Sequence, residues 1–257
     1  MLGLVEGELR IAGVPDPGLV EGDPACLWWL RPNLDRDVPF GDRTFHVSTN
    51  ALGLRGPPPP PEGPWTLVLG CSTTFGWGVE ADEAWPARLG AHLGEAVVNG
   101  GVPGWSTQQA VLGAGRYLAL QPTRVVLAYI VRDAQAARVP DTRARPTPFL
   151  LRLNLARLIA GSRPPVPPGG DTFRVPPEAY ADNLRTLVAM AAPAQVVLLA
   201  FPQPEPLTPW VEAMRTVGPV LAPQLAVDSF FEEDPIHLSA EGNERLAALV
   251  AATLDGR

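Results

Sequence analysis

The stretch Trp65-Thr-Leu-Val-Leu-Gly-Cys-Ser-Thr-Thr-Phe-Gly-Trp-Gly78 joins a strand pattern to the start of a helix pattern. Residues 66–69 form a short apolar run rich in β-forming residues, which predicts a buried strand. Ser72 follows where this strand passes into a helix, and in a parallel α/β sheet ligands bind at this carboxyl end, next to free helical N–H groups. Taken alone, Ser72 or Thr73 is more commonly a helix N-cap, so the rest of the chain decides whether Ser72 has a chemical role.

Downstream of Trp65, strand-like and helix-like patterns alternate, which predicts an α/β fold with a mainly parallel central sheet covered by helices. The predicted strands are residues 66–69, 95–99, 124–129, 195–200 and a segment near 225–228. Helical patterns cover residues 84–93, 107–118, 177–190, roughly 209–222, and 240–254. The long connection 136–174 contains a helix-compatible segment, 148–160, and is predicted to be a lid or a surface loop.

Residues 1–62 have a different composition, rich in Pro, Gly and Asp, with one alternating segment at 43–49 that suits a half-buried strand. They predict a small β-rich N-terminal extension, in which the apolar group Trp28-Trp29-Leu30 packs on the main domain or, alternatively, forms an exposed aromatic platform. The run Pro57 to Pro61 is a polyproline-like spacer that joins neither a helix nor a central strand. We therefore place the main domain at residues 63–257.

The bulk composition is that of a globular protein. The chain has 257 residues, of which 46% are hydrophobic and 18% charged, and no apolar run is long enough to cross a bilayer. A net charge of −7 and the lack of a basic stripe argue against nucleic acid as a partner. The amino terminus shows no basic region of a signal peptide, so a cytoplasmic location is the default expectation.

Metal and disulfide chemistry find little support in the sequence. The two cysteines, Cys26 and Cys71, make neither a disulfide framework nor a CxxC pair. The three histidines are His46, His92 and His237, and none belongs to an HExxH motif. We expect no metal and no organic cofactor.

Three further stretches fall at predicted strand ends on the same edge of the sheet as Ser72. They are Asn99-Gly-Gly-Val-Pro-Gly-Trp-Ser-Thr-Gln-Gln109, Ile130-Val-Arg-Asp133 and Asp234-Pro-Ile-His237. A carboxylate three residues before a histidine on a turn can accept a hydrogen bond from one ring nitrogen, which leaves the other free to take a serine proton. A single loop histidine is more often a helix cap or a surface residue, and Glu232 or Glu233 could replace Asp234 as the orienting carboxylate. The Asp234–His237 pair therefore indicates a catalytic site only in combination with Ser72.

Together these stretches resemble an SGNH-type (GDSL-like) hydrolase over residues 65–254. Gly-Cys-Ser-Thr-Thr-Phe-Gly-Trp-Gly matches the nucleophile block, with Cys71 where the family motif has Asp, and the glycine-rich and Asp-Pro-Ile-His stretches match two later blocks. Asn50-Ala-Leu-Gly-Leu-Arg-Gly56 also resembles a segment that precedes the domain in many bacterial members. The resemblance implies a three-layer α/β/α, flavodoxin-like fold and a cofactor-independent site.

Carried over by position, the resemblance implies that Ser72 is the nucleophile, His237 the general base and acid, and Asp234 the residue that orients His237. The backbone N–H groups of Ser72 and Gly104 would form two arms of the oxyanion hole. The third arm in the family is an Asn side chain in a Gly-x-Asn-Asp block, and this chain has Arg132 at that position. Arg132 is expected either to reach the oxyanion or to turn outward or pair with a nearby carboxylate.

Two more residues are candidate substrate contacts, Thr73 beside the nucleophile and Trp105 beside Gly104. Trp77 and Phe75 also flank the site, although all these aromatic residues fit a core role equally well. Asp133 is predicted to be a structural hydrogen-bond acceptor.

The expected function is hydrolysis of a small-molecule or carbohydrate ester through an acyl-enzyme on Ser72. The alternatives are an impaired relative that binds its ligand without turnover, and an O-acyltransferase that uses the same three side chains.

Overall fold

The computed structural model describes residues 18–143, 172–205 and 207–255. The N-terminal extension contains two antiparallel hairpins. The first pairs β1 (Val20–Asp23) with β2 (Leu27–Leu30), and the second pairs β3 (Asp35–Phe40) with β4 (Arg43–Ser48). The alternating segment of the sequence is therefore a strand, β4, whose side chains alternate between exposed or half-buried and buried positions along most of its length.

A five-stranded sheet forms the centre of the main domain, and every pair of neighbouring strands in it is parallel. Its strand order is β6-β5-β7-β8-β9. All six residues of β5 are buried, as expected for a central strand covered on both faces. The mainly parallel α/β fold predicted from the sequence is thus confirmed. The strands are β5 (Trp65–Gly70), β6 (Ala96–Gly101), β7 (Arg124–Ala128), β8 (Gln195–Leu199) and β9 (Val220–Leu221).

The helices form two packed groups. The first, α2 with α7, lies on one face of the sheet, and the second, in which α5 contacts α3 and α6, lies on the other. The two faces follow from right-handed crossovers, because the chain moves one way from β5 to β6 and the opposite way from β6 to β9. The helices are α1 (Ser72–Phe75), α2 (Trp85–Leu93), α3 (Thr107–Gly113), α4 (Gly115–Leu118), α5 (Pro177–Ala191), α6 (Thr208–Arg215) and α7 (Ala240–Asp255).

Two sequence-based predictions near the carboxyl terminus were wrong. The helix predicted at 209–222 ends at Arg215, and the last strand is β9 instead of the segment near 225–228. Gly218 and Pro219 stop the helix and turn the chain so that β9 pairs with β8. Val227 to Ser229 form a short 3₁₀ turn, and Val227 is 73% exposed. The segment 148–160 and most of the connection 136–174 lie outside the described residues.

The extension packs on the main domain through aromatic side chains. Trp29 is 4% exposed and Leu30 is fully buried, which confirms the packing expected for this apolar group. The Trp29 ring lies 4.8 Å from the rings of Trp105 and Tyr117. In the part of the chain that is described, no helix has the length and apolar character needed to cross a membrane.

Candidate active site

Ser72 begins helix α1 immediately beyond strand β5. Two glycines allow this short helix to lie against the ends of the strands. A Cβ atom on Gly70 would lie 2.0 Å from Thr74 Oγ1, and one on Gly101 would lie 2.3 Å from the backbone nitrogen of Phe75. Only glycine therefore permits the close approach that brings Ser72 to the carboxyl edge of the sheet.

The structure brings Ser72, His237 and Asp234 into one hydrogen-bonded chain. Ser72 Oγ lies 2.9 Å from His237 Nε2, and His237 Nδ1 lies 2.6 Å from Asp234 Oδ2. Ser72 is 2% exposed and His237 is 5% exposed. The turn between the carboxylate and the ring is held locally, because Asp234 Oδ1 accepts a hydrogen bond from the Ile236 amide at 3.0 Å. The spacing that suggested this pair in the sequence thus gives the folded-back geometry.

The surroundings of Asp234 favour its ionised form. Partial burial by itself raises the pKa of Asp234, but the hydrogen bond and electrostatic interaction with the His237 ring, with the backbone amides of Ile236 and His237, outweigh burial and lower it. A carboxylate at Nδ1 holds the ring proton there. Nε2 is then the ring nitrogen that faces the Ser72 hydroxyl, in the arrangement that a general base would require.

Arg132 faces the serine. Its Nη2 lies 3.4 Å from Ser72 Oγ, and its Nη1 donates to Gln135 Oε1 at 3.2 Å. Its Nε is buried and has no hydrogen-bond partner among the described residues. Among the described residues Arg132 forms no ion pair, so it pairs with neither Asp133 nor Asp234. Of the alternatives left open by the sequence, the guanidinium takes the inward position next to the hydroxyl.

Gly104 lies in the loop after β6 with a φ of +84°, a left-handed conformation that favours glycine. The loop is held against the end of β5 because the Val102 amide donates to the Gly70 carbonyl at 3.0 Å. The Trp105 amide closes a tight turn on the Val102 carbonyl at 3.1 Å. No backbone acceptor within the described ranges takes the Gly104 N–H, which leaves this donor available at the same edge as Ser72.

Asp133 is a buried hydrogen-bond acceptor, in agreement with its sequence-based interpretation. Its Oδ1 accepts hydrogen bonds from the backbone N–H and the hydroxyl of Thr107, at 2.9 and 2.5 Å. Its Oδ2 is buried and has no hydrogen-bond partner in the part of the chain that is described. Burial raises the pKa of Asp133 to about 7, against the smaller lowering effect of the Thr107 hydrogen bonds. Asp133 therefore anchors the start of α3 to the turn after β7 that also carries Arg132.

The two candidate substrate contacts, Trp105 and Thr73, are both buried. Trp105 is fully buried and its Nε1 donates to the Trp28 carbonyl at 2.9 Å, so its ring belongs to the core and offers no surface to a substrate. The expectation for Trp105 is corrected in this respect. Thr73 is 3% exposed, with its hydroxyl 3.3 Å from Cys71 Sγ, and its substrate role stays a prediction. Trp77 is half-buried, with its ring 6.4 Å from the His237 ring.

Arg55 is a structural residue of the site that was not predicted from the sequence. It is 2% exposed, and its guanidinium donates at 2.6 Å to the carbonyls of Phe75, the last residue of α1, and of Gly76 and Val79 beyond it. Arg55 belongs to the segment Asn50–Gly56, which resembles a segment that precedes the domain in many bacterial SGNH-type hydrolases. Arginine is nearly always exposed, however, so no local pattern indicated this burial.

The other histidines lie away from the site. His46 contacts Asp35 and Asp37 on the extension, and His92 contacts Glu244 at 2.6 Å. Both cysteines are free and buried. Within the described ranges, no three His, Cys, Asp or Glu side chains are grouped in a way that suits a metal ion.

Several solved structures share this fold. TesA is similar with a TM-score of 0.52 and 18% identity, covering 74% of this chain and 97% of its own. A family 2 carbohydrate esterase from Corynascus thermopiles (Myceliophthora fergusii) has a TM-score of 0.51 and 12% identity, covering 83% and 70%. A family 2 carbohydrate esterase from Clostridium thermocellum, solved with cellohexaose, has a TM-score of 0.51 and 12% identity, covering 79% and 66%.

The sequence itself identifies the family. No curated protein matches it significantly. Residues 68–245, which are well over half of the chain, match the family described as GDSL-like Lipase/Acylhydrolase. This match includes the nucleophile block, the glycine-rich loop and the Asp-Pro-Ile-His turn, which are also the segments that meet at the edge of the sheet. The chain therefore belongs to the GDSL-like lipase/acylhydrolase family.

Proposed function

We propose that this protein is a serine-dependent ester hydrolase that forms an acyl-enzyme on Ser72. The observation that carries the proposal is the chain of hydrogen bonds from Ser72 Oγ to His237 Nε2 at 2.9 Å and from His237 Nδ1 to Asp234 at 2.6 Å. This arrangement lets a neutral imidazole take the hydroxyl proton while a carboxylate stabilises the resulting imidazolium. Family membership supports the same class of reaction.

In the first half-reaction, Ser72 Oγ attacks the ester carbonyl carbon as its proton passes to His237 Nε2. The carbonyl oxygen becomes an oxyanion, which accepts hydrogen bonds from the N–H groups of Ser72 and Gly104 and from the Arg132 guanidinium. The C–O bond to the alcohol then breaks, and His237 returns the proton to the leaving oxygen. In the second half-reaction His237 deprotonates a water molecule, which attacks the carbonyl carbon of the acyl-enzyme. The bond from that carbon to Ser72 Oγ then breaks, His237 returns the proton to Ser72 Oγ, and the acid is released.

The inward position of Arg132 favours catalysis over binding without turnover. Its Nη2 lies 3.4 Å from Ser72 Oγ, which is close enough for the guanidinium to donate to an oxygen that develops negative charge beside the serine. An arginine that paired with Asp234 would instead have removed the carboxylate from His237. We propose that Arg132 replaces the Asn of the family block as the third oxyanion donor.

The substrate we propose is a small or medium acyl ester, with an acetylated carbohydrate as one candidate. Two structural neighbours are carbohydrate esterases by their descriptions. The half-buried Trp77 ring next to His237 is an aromatic surface of the kind that a sugar ring or an acyl chain can contact.

The first test replaces Ser72 with alanine. We expect purified wild-type protein to hydrolyse p-nitrophenyl acetate or butyrate, and Ser72→Ala to abolish this activity because no nucleophile remains. An organophosphonate probe should label wild-type protein once, on the peptide that contains Ser72, as read by mass spectrometry. Ser48→Ala, which removes a hydroxyl from strand β4 of the extension, serves as the matched control and should keep full activity.

Equal hydrolysis by wild type and Ser72→Ala, or labelling elsewhere in the chain, would exclude the proposed mechanism. The products also separate a hydrolase from an acyltransferase. Adding a sugar or alcohol acceptor should leave free acid as the main product, whereas conversion to a new ester would favour the transferase.

A further inference from the structure

The peptide bond that presents the Gly104 N–H is held from its other side by the N-terminal extension. Trp28 Nε1 donates a hydrogen bond of 3.1 Å to the Pro103 carbonyl. The Pro103 C=O and the Gly104 N–H belong to one peptide unit, which is planar and trans. A hydrogen bond that fixes the direction of this carbonyl therefore also fixes the direction of the N–H on the opposite side.

Trp28 is itself held firmly against the loop. Its backbone carbonyl accepts the hydrogen bond of Trp105 Nε1 at 2.9 Å, so the two indoles each donate to the segment that carries the other. The Trp28 ring also covers Gly104, because a Cβ atom added to Gly104 would lie 3.2 Å from Trp28 Cζ2. The hairpin that carries Trp28 is fastened to α4 by the ion pair between Arg116 and Asp23 at 2.8 Å.

The next peptide unit is held in a similar way. The Gly104 carbonyl accepts a hydrogen bond of 2.7 Å from Arg174 Nη1. Arg174 is oriented by Asp141, which it contacts at 2.8 Å, and the two side chains are only 14% and 11% exposed. Glycine at a positive φ has wide conformational freedom. Fixed carbonyls on both flanking peptides restrict that freedom and hold the Gly104 N–H in one direction.

We propose that Trp28 is a positioning residue for the oxyanion hole: its indole N–H, with Arg174 on the following peptide, aims the Gly104 N–H at the oxyanion. This inference rests on the proposed function. A hydrogen bond accepted by an amide carbonyl also polarises the same amide, so the Gly104 N–H becomes a stronger donor. The extension then contributes to the reaction by orienting a group of the main domain.

The test uses the full chain with Trp28→Phe, which removes the donor and reduces the indole to a single aromatic ring. We expect kcat for p-nitrophenyl butyrate to fall by at least about tenfold, because misdirected oxyanion donors lose much of their effect. KM should stay within about twofold, since the donor acts mainly in the transition state. The rate constant for phosphonate labelling of Ser72 should fall in parallel with kcat, and the basic shape of the pH–rate profile should not change.

Two further proteins separate positioning from general damage. In one, β-(3-benzothienyl)alanine replaces Trp28, so that sulfur stands where the indole N–H was and the shape is kept; this protein should reproduce the kcat loss even if Trp28→Phe folds poorly. The other is Trp65→Phe, which trims a buried tryptophan at the amino end of β5, opposite to Ser72. It should lower the melting temperature and leave kcat near the wild-type value.

An unchanged kcat in both donor-free proteins, while Ser72→Ala is inactive, would overturn the positioning role and leave the proposed function standing. A loss of kcat in Trp65→Phe as large as in the donor-free proteins would also overturn it, because the effect would then be one of stability. If Ser72→Ala retained full activity, the proposed function and this inference would both fail.

Discussion

Arg132 gives the site a permanent positive charge where the family resemblance implies a neutral amide. Its guanidinium contacts both Ser72 Oγ and the Gln135 side chain, at 3.4 and 3.2 Å. A charged donor stabilises an oxyanion more strongly than a neutral one. The long side chain also needs an orienting partner, which Gln135 supplies.

At this scale we predict that Arg132→Met lowers kcat by about 10²- to 10³-fold, the usual effect of losing one oxyanion donor. Arg132→Asn places a neutral donor at the position where the family has Asn, so its kcat should fall less than that of Arg132→Met. Steady-state kinetics with p-nitrophenyl esters measures both. Gln135→Ala is the matched control: it removes the partner of the guanidinium but not the donor, so its loss should be the smallest of the three. Wild-type kcat in Arg132→Met would exclude an oxyanion role.

Helix α1 carries Ser72, the proposed nucleophile, but has only four residues, so it cannot be stable through its own hydrogen bonds. Tertiary contacts hold it. Gly70 and Gly101 let it lie against the strand ends, and buried Arg55 donates to three carbonyls in and after its last turn. The Arg55 guanidinium also stacks 4.4 Å from the centre of the Phe75 ring. Burial lowers the pKa of Arg55 to about 10, which still leaves it charged at neutral pH.

For this element we predict that Arg55→Met lowers the free energy of unfolding by about 2–4 kcal/mol, because the variant leaves several buried carbonyls without donors. Urea denaturation followed by circular dichroism measures the change, and activity should fall as α1 loosens. Arg185→Met is the control, since Arg185 is half-exposed in an ion pair with Asp182. Its urea midpoint should stay close to that of wild type. Equal midpoints for both variants would mean that Arg55 does not brace α1.

At the scale of the whole molecule, the extension and the sheet domain share one hydrophobic core. Phe40 of β3 packs 4.9 Å from Phe231, and Phe45 of β4 packs 5.4 Å from Trp77. Trp77 in turn lies beside His237. Contacts from the extension thus reach both the glycine loop and the histidine side of the site. Asp133, in the turn after β7, is buried and accepts two hydrogen bonds from Thr107 at the start of α3, so we expect its ionisation to affect the stability of the whole fold.

We predict a stability change with pH that comes from Asp133. Burial raises its pKa from 3.8 to about 7 in the folded protein, with the Arg174 charge opposing and the Asp141 charge adding to that rise. Between these values the folded state holds a proton that the unfolded state releases. The stability due to protonated Asp133 is therefore complete below about pH 4. The free energy of unfolding then falls by roughly 1.4 kcal/mol per pH unit until the contribution is lost as pH rises through about 7.

Asp133→Asn tests this linkage, because asparagine keeps an acceptor for Thr107 and cannot ionise. The difference in unfolding free energy between wild type and variant, measured by urea denaturation from pH 4 to 8, should shift against the wild type as pH rises. Asp234 has a lowered pKa and acts in the opposite sense at acid pH, but it is common to both proteins and cancels. A difference that stays flat across this range would refute the raised pKa.

Most of the secondary structure was predictable because strand and helix patterns are local. The first four sheet strands and the helices at 84–93, 177–190 and 240–254 agree with the structure to within one or two residues at each end. The fifth strand failed because β9 has only two residues and depends on pairing with β8. The predicted helix 107–118 is divided into α3 and α4 at Ala114.

Sequence by itself determined the parallel α/β fold, the position of Ser72 at a strand end and the Asp234–His237 pair, since each depends on neighbours a few residues apart. Tertiary structure alone decided the inward direction of Arg132, the burial of Arg55, the withdrawal of Trp105 into the core and the contact of Trp28 with the glycine loop. Arg132 and Ser72 are 60 positions apart, Trp28 and Pro103 are 75, and Arg174 and Gly104 are 70. Such contacts depend on how whole elements pack, and no local periodicity encodes the direction in which a long side chain leaves its strand or loop.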